Sequence, residues 1–268
     1  MNEQVNTMTE QDIRVTLVQF NITWEASAVN LQKIWALLDE KVSDTDLVVL
    51  PEMFTTGFSM NPTAVAEPMN GKTVAWLKST ARTRREDIVA SVAIEEGGRY
   101  FNRLLWAKPD GSLLAYDKKH LFSFAGEHKH YTPGEEPLIA TINNWKVATF
   151  ICYDLRFPTW SRNVDARYDL AIYIANWPER RAKHWQVLLQ ARAIENQAYV
   201  IGVNRVGTDG NGIRYSGDSM LIDPLGEVLF HQRDTEVVQT ETLSMRHLLE
   251  VRNQFPFLKD ADKFTFFR

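Results

Sequence analysis

The sequence predicts a mixed α/β fold in which helices cover sheets, and three observations predict it. Short apolar, β-branched runs alternate with segments of helical periodicity. The breaks between them carry turn chemistry of their own, as in Pro109-Asp110-Gly111 and Asp209-Gly210-Asn211-Gly212. No Ser/Gly-rich linker and no internal repeat interrupts the pattern, which predicts one domain over residues 12–268 behind a polar tail over residues 1–11. Periodicity leaves open whether the strands form one sheet or two.

The elements follow in order. Ile13 to Phe20 is apolar and β-branched, a strand. Ser27 has the chemistry of an N-cap, and Val29, Leu31, Ile34, Leu37 and Leu38 behind it recur at helical spacing. Asp46 to Leu50 reads as a short buried strand ended by Pro51. Thr73 to Arg85 reads as a helix with Val74, Leu77 and Ala81 inward. Ile88 to Ile94 and Phe101 to Ala107 are strands separated by Gly97-Gly98, and Ser112 to Tyr116 is a hairpin partner returning from the Pro-Asp-Gly turn. Lys119 to Pro137 lacks a period, and an aperiodic stretch that long inside a compact domain is usually functional. Trp145 to Ile151 is a buried strand running into Cys152. Thr159 to Ala166 suggests a short helix, Asp169 to Ala175 a strand. His184 to Ala198 reads as a helix with Trp185, Leu188, Leu189 and Ala193 on one side. Tyr199 to Asn204 is a strand, and Tyr215 to Ile222 pairs with Val228 to Phe230 around Asp223-Pro224-Leu225-Gly226. A helix over Ser244 to Val251 precedes an aromatic tail with Phe255, Phe257, Phe264, Phe266 and Phe267.

Composition narrows the function classes. A net charge of −4 offers no bulk basic field for nucleic acid or an anionic membrane, and the short cluster from Arg82 to Arg85 reads as a solvated helix face. One cysteine excludes an internal disulfide framework. Met1 to Gln11 has no apolar core of a signal peptide, and runs such as Leu47 to Leu50 are far below the roughly 18–20 residues of a membrane span. These features predict a cytoplasmic protein.

Three segments place a reactive side chain at a strand end. Glu52 follows Leu47-Val48-Val49-Leu50-Pro51; partial desolvation there favours a proton on the carboxylate and suits it to act as a base, against the alternative of a solvated strand-end glutamate. In Tyr116-Asp117-Lys118-Lys119-His120-Leu121, alternation turns one lysine inward and the other out; an inward ammonium beside a carboxylate can stabilise an oxyanion, against the alternative of two surface lysines. Cys152 ends Val147-Ala148-Thr149-Phe150-Ile151 and opens Tyr153-Asp154-Leu155-Arg156-Phe157-Pro158. A sharp turn there exposes a nucleophile, and nearby Lys and Arg favour its thiolate, against the alternative of a small buried hydrophobe. His128 and His130 lack the cysteine or helical partner of a metal site, and no Walker or dinucleotide glycine loop is present, so no metal and no organic cofactor are expected.

Together the three segments resemble the carbon–nitrogen hydrolase (nitrilase) superfamily over nearly the whole chain. The resemblance implies a Glu52–Lys118–Cys152 triad and a four-layer α-β-β-α sandwich that pairs into a homodimer, with the aromatic tail suited to the contact. It implies that Glu127, in Glu-x-x-x-x-Thr-Pro-Gly, stands beside the triad, and that the polar residues of Ala191 to Asn196 support structure. Met53 to Ser59, Ala175-Asn176-Trp177-Pro178 and Phe255-Pro256-Phe257-Leu258 are similar to the omega-amidase branch, which implies hydrolysis of the terminal amide of 2-oxoglutaramate or 2-oxosuccinamate after a glutamine transaminase, often within methionine salvage. Such a substrate carries a carboxylate. Arg156 is its nearest candidate partner, or else an ion-pair partner of Asp154; Phe58, Tyr153, Asn176 and Trp177 are further candidates around the substrate. The same triad suits an N-carbamoyl hydrolase, an aliphatic amidase or a nitrilase. A binding protein or a redox sensor on this scaffold is a different class; the intact triad and the lack of a resolving cysteine argue against them.

Overall fold

A computed structural model describes residues 11–265 of the chain. Strand β1 (Ile13–Gln19) leads through helix α1 (Ser27–Lys41) to β2 (Leu47–Val49). The one-turn helix α2 (Pro62–Val65) and helix α3 (Lys72–Arg84) precede a meander of β3 (Asp87–Glu96), β4 (Arg99–Ala107) and β5 (Leu113–Asp117). A second run follows: β6 (Leu138–Ile142), β7 (Trp145–Ile151), β8 (Leu170–Ala175), helix α4 (Ala182–Asn196), β9 (Tyr199–Asn204), β10 (Val206–Thr208), β11 (Arg214–Ile222) and β12 (Val228–Arg233). Strand β13 (Val237–Leu243) and helix α5 (Met245–Gln254) finish it.

The strands form two sheets. One has the order β13-β1-β2-β3-β4-β5; the other runs β10-β11-β9-β8-β7-β6, with β12 on β11. Pairing is parallel from β1 through β3 and from β7 through β9, so β2, β7 and β8 all end toward loops that can converge. Period-2 alternation then assigns the layers. Val15, Leu17, Leu47, Val49 and Val89 face the second sheet, packing into one core with Val147 and Phe150. Their neighbours Val18, Val48, Leu50, Ile88 and Ala90 face outward onto Ile34 and Leu38 of α1 and Val74, Leu77 and Ala81 of α3. Trp185, Leu189 and Ala193 of α4, with Leu248 of α5, cover the far side of the second sheet. The result is the expected α-β-β-α sandwich. Strand β8 is buried along its whole length, as its unbroken apolar run requires. Among the described residues no helix is long and apolar enough to cross a membrane.

Several local expectations are corrected. Ser27 is the first helical residue rather than the cap of α1: the cap is Ala26, without a side-chain bond. Val29 is exposed; Asn30 takes the inward place, because its amide bonds the Thr23 and Thr55 backbone. Thr159 to Ala166 is not an α-helix; only Val164–Ala166 closes into a 3-10 turn. Asn163 bonds the backbone of Tyr168 and Asn196, an alternative to helical bonding, and Asp165 and Ala166 turn left-handed. Strands β6, β10 and β13 and helix α2 were not expected. The β6–β7 hairpin turns on Asn143-Asn144, both at positive φ, a two-residue I′-type signal. Strand β13 pairs with all seven residues of β1, but its Gln-Thr-Glu stretch hides the alternation. Of the polar tail, Gln11 is described, its carbonyl accepting from Trp145 Nε1; Met1 to Glu10, with Phe266 and Phe267 of the aromatic segment, lie outside the described residues.

Candidate active site

The three strand-end segments meet. Glu52, Lys118 and Glu127 have no solvent exposure, and Cys152 is buried beside them. Lys118 Nζ donates to Glu52 Oε1 at 2.8 Å and to both carboxylate oxygens of Glu127 at 3.1 and 3.0 Å. Its neighbour Lys119 points the other way, with its ammonium over the Trp160 ring. The predicted alternation therefore holds, and its cause is β5: the strand ends at Asp117, and the pleat carries one more residue into the interior. Lys118 is anchored by its backbone, N–H to the Asn102 carbonyl and carbonyl from the Gly134 N–H, both at 3.0 Å. Only glycine fits at 134, since a Cβ there would lie 2.1 Å from the Asp117 carbonyl oxygen.

Burial of an ammonium favours its neutral form, but the charges of Glu127 and Glu52 outweigh that and raise the Lys118 pKa, holding the cation. For Glu127, burial is the larger influence, aided by the Glu52 charge; its pKa is raised despite Lys118. The Phe122 N–H donates to Glu127 Oε2 at 2.5 Å, so the aperiodic stretch from Lys119 to Pro137 is where this carboxylate is positioned.

Glu52 is held from three sides. Asn102 Nδ2 and Lys118 Nζ both reach Oε1 at 2.8 Å, and the Asn176 N–H reaches Oε2 at 2.8 Å. Asn176 Nδ2 also donates to the Glu52 carbonyl at 2.6 Å. Asn176, expected beside the substrate, thus clamps Glu52 while its Oδ1 stays without a partner among the described residues. Asn102 was missed by sequence reasoning. It sits in the interior of β4, links Glu52 to Glu127 (3.3 Å) and is fully buried. The available signal was a lone amide at an inward position of an apolar strand.

Cys152 leaves β7 at φ +45°, a left-handed conformation uncommon for a residue with a Cβ and typical of strained functional turns. It opens a 3-10 turn over Cys152–Arg156, whose first backbone N–H groups have no intrahelical acceptor. Asp154 organises this turn. It accepts from the Ile151 N–H (3.0 Å), Tyr116 OH (2.7 Å) and the His120 N–H (3.0 Å), with His120 Nδ1 at 2.8 Å. Arg192 of α4 adds a bond to the Leu155 carbonyl at 2.6 Å and pairs with Glu195, so the polar residues of that helix brace the turn.

The expected pull of nearby cations toward the thiolate is outweighed. Burial, then the Glu52 and Glu127 charges, push the Cys152 thiol well above its ordinary range; Lys118 pulls the other way and loses. That direction favours the thiol form and gives a neighbouring base a role.

Above Cys152 lies a cavity of about 210 Å³, small beside the roughly 300–1,000 Å³ of drug-sized ligand pockets and suited to a compact ligand. The five expected substrate neighbours, Phe58, Tyr153, Arg156, Asn176 and Trp177, all line it. Phe58 lies under Lys118, its ring centroid 5.0 Å from Nζ. Arg156 does not pair with Asp154, which His120 occupies; its Nη2 meets His184 Nδ1 at 3.0 Å and its guanidinium lies over Trp177. Sequence reasoning missed Phe122, Arg181 and Tyr215 in the same wall, since they come from three distant segments.

A buried carboxylate base, an ammonium, a second carboxylate and a cysteine thiol can together carry nucleophilic substitution at an acyl carbon. Comparisons agree with that chemistry. The carbon-nitrogen hydrolase family model matches residues 14–252. The "Omega-amidase YafV" of Yersinia enterocolitica is 46% identical over 94% of this chain and 98% of its own length. The "2-oxoglutaramate amidase" of Bacillus subtilis is 32% identical over 93% and 97%. A crystal structure of XC1258 from Xanthomonas campestris, a CN-hydrolase superfamily protein with an arsenic adduct in its active site, superposes with a TM-score of 0.93 at 44% identity, covering 96% of this chain and 99% of that one. The chain belongs to the carbon–nitrogen hydrolase family.

Proposed function

We propose that the protein is an omega-amidase, cleaving the terminal amide of 2-oxoglutaramate or 2-oxosuccinamate to the 2-oxo dicarboxylic acid and ammonia. The observation that carries this reading is the buried Glu52–Lys118–Glu127 cluster beneath Cys152, held at positive φ in a small arginine-lined cavity. The names of the relatives supply the substrate class.

Glu52 takes the thiol proton as sulfur attacks the amide carbon, and the C=O pair moves onto oxygen. Lys118 and the Tyr153 N–H hold that oxyanion. The tetrahedral adduct collapses to a thioester as Glu52 returns the proton to nitrogen, and ammonia leaves. Water then gives its proton to Glu52 and its oxygen to the acyl carbon; the acid leaves and the thiol is restored. Glu127 and Asn102 fix the Lys118 and Glu52 head groups throughout. No step calls for a metal or an organic cofactor.

The chain functions as a homodimer in the cytoplasm in this reading, and exposed Phe257 and Phe264 near its end suit a subunit contact. Ammonia release from 2-oxoglutaramate, a nitrile, an N-carbamoyl amino acid and glutamine tests the substrate. The omega-amidase reading expects the oxo-amide to be turned over fastest by at least an order of magnitude; preference for another member would overturn it.

A further inference from the structure

Arg156, Arg180 and Arg181 line the cavity that holds Cys152, and no Asp or Glu lines it with them. Three cations around a small, largely apolar chamber call for an anion. Two of the three are accounted for. Arg156 is engaged by His184 and Trp177, and Arg180 is exposed. Arg181 is different. Its guanidinium lies 5.2 Å from the Phe122 ring centroid, and among the described residues it has no hydrogen-bonded or ion-paired side-chain partner. Glu179, the nearest acid in sequence, is taken by Arg214 and Arg233 at 3.2 Å each.

Resting on the omega-amidase reading for its substrate, we propose that Arg181 binds the carboxylate of the substrate and thereby selects anionic amides over neutral ones. A guanidinium held over an aromatic ring, with no hydrogen-bonded side-chain partner among the described residues, has its planar fork available to a bidentate carboxylate. Its backbone is fixed as well: the Arg181 carbonyl accepts from Trp177 Nε1 at 2.9 Å, tying the segment to the cavity wall. Partial burial, with the Arg180 and Arg156 charges, lowers the Arg181 pKa, and Cys152 is among the groups that act on it electrostatically. A half-buried cation repelled by its neighbours, in the wall of the cavity that holds the nucleophile, is stabilised by an incoming carboxylate.

The single cysteine supplies a probe independent of the amide reaction. Alkylation of Cys152 by iodoacetate and by iodoacetamide, followed by intact mass, compares an anionic with a neutral reagent at the same sulfur. The ratio of the two rates falls by about 10–100-fold in Arg181→Gln, the range of a charge-assisted bond, and Arg181→Lys restores part of it. The same variants lower the kcat/KM ratio of 2-oxoglutaramate to pentanamide, chiefly through KM for the oxo-amide. An alkylation ratio equal in wild type and Arg181→Gln overturns the proposal, even where wild type hydrolyses 2-oxoglutaramate and the amidase reading stands. A fallen alkylation ratio in an enzyme inert toward 2-oxoglutaramate keeps the anion site and overturns the amidase reading instead.

Discussion

One side-chain amide, Asn102 Nδ2, lies 2.8 Å from Glu52 Oε1 and 3.3 Å from Glu127 Oε1, so a neutral donor and Lys118 together bridge two buried carboxylates. Replacing it with Ala leaves Glu52 short of a donor where water cannot enter freely. A buried acceptor that loses its partner costs about 1–3 kcal/mol, which corresponds to a loss in kcat of about 10–100-fold if that cost falls on the transition state. Steady-state kinetics checks this; Asn102→Ala turning over like wild type would show that Lys118 and Asn176 suffice to position the base.

The ammonium is the keystone of the cluster's charge balance. Lys118→Met leaves Glu52 and Glu127 facing each other in the interior, and removing one partner of a buried ion pair typically costs about 3–5 kcal/mol. Adding Glu127→Gln removes one of the two uncompensated charges and recovers part of the loss. Denaturant unfolding of the single and double variants measures both effects; a Lys118→Met protein as stable as wild type contradicts the balance described.

The thiol sets a pH dependence whose sign follows from its surroundings. With its pKa raised in the folded state, Cys152 keeps its proton where an unfolded thiol loses one, so the stabilisation is complete below the unfolded value and is lost as pH rises through the folded one. Alkylation by iodoacetamide in the absence of substrate should therefore rise with pH to a midpoint above the ordinary thiol value of about 8.5. Glu52→Gln removes a negative neighbour and lowers that midpoint. A midpoint below the ordinary value in wild type would mean that Lys118 outweighs burial and both carboxylates.

Asp154 gathers Tyr116, His120 and the Ile151 N–H around the turn that presents Cys152. Asp154→Ala strips the Tyr116 hydroxyl and the Ile151 and His120 N–H groups of their acceptor, and His120 Nδ1 of its partner. Thermal unfolding should show a loss of at least about 1–3 kcal/mol, with kcat falling more than KM changes because the turn, not the substrate pocket, is loosened. An unaltered kcat would assign Asp154 to stability alone.

Much of this site is legible in the sequence because it sits on strand ends. Apolar runs that stop at Glu52 and at Cys152 announce reactive groups; alternation says that one of Lys118 and Lys119 turns inward, and the family resemblance says which. What is not legible is whatever depends on contact between distant segments. Asn102 looks like a stray amide in β4, and its meaning appears only when Glu52 and Glu127 close on it. Arg181 follows Arg180 without any mark distinguishing them, since the Phe122 ring and the cavity wall come from elsewhere. The thiol's surroundings are hidden for the same reason: nearby cations in sequence say nothing of its burial or of the two carboxylates the fold brings to it. Strand β13 was hidden because a half-buried strand paired with β1 tolerates Gln, Thr and Glu on its open face.

The most direct test is ammonia release from 2-oxoglutaramate by wild type and Cys152→Ala, with acid-quenched wild-type reactions analysed by intact mass. The account predicts rapid release, abolished in the variant, and a wild-type adduct equal to the substrate less ammonia on the peptide carrying Cys152. Release that persists in Cys152→Ala would contradict a covalent thioester on this cysteine.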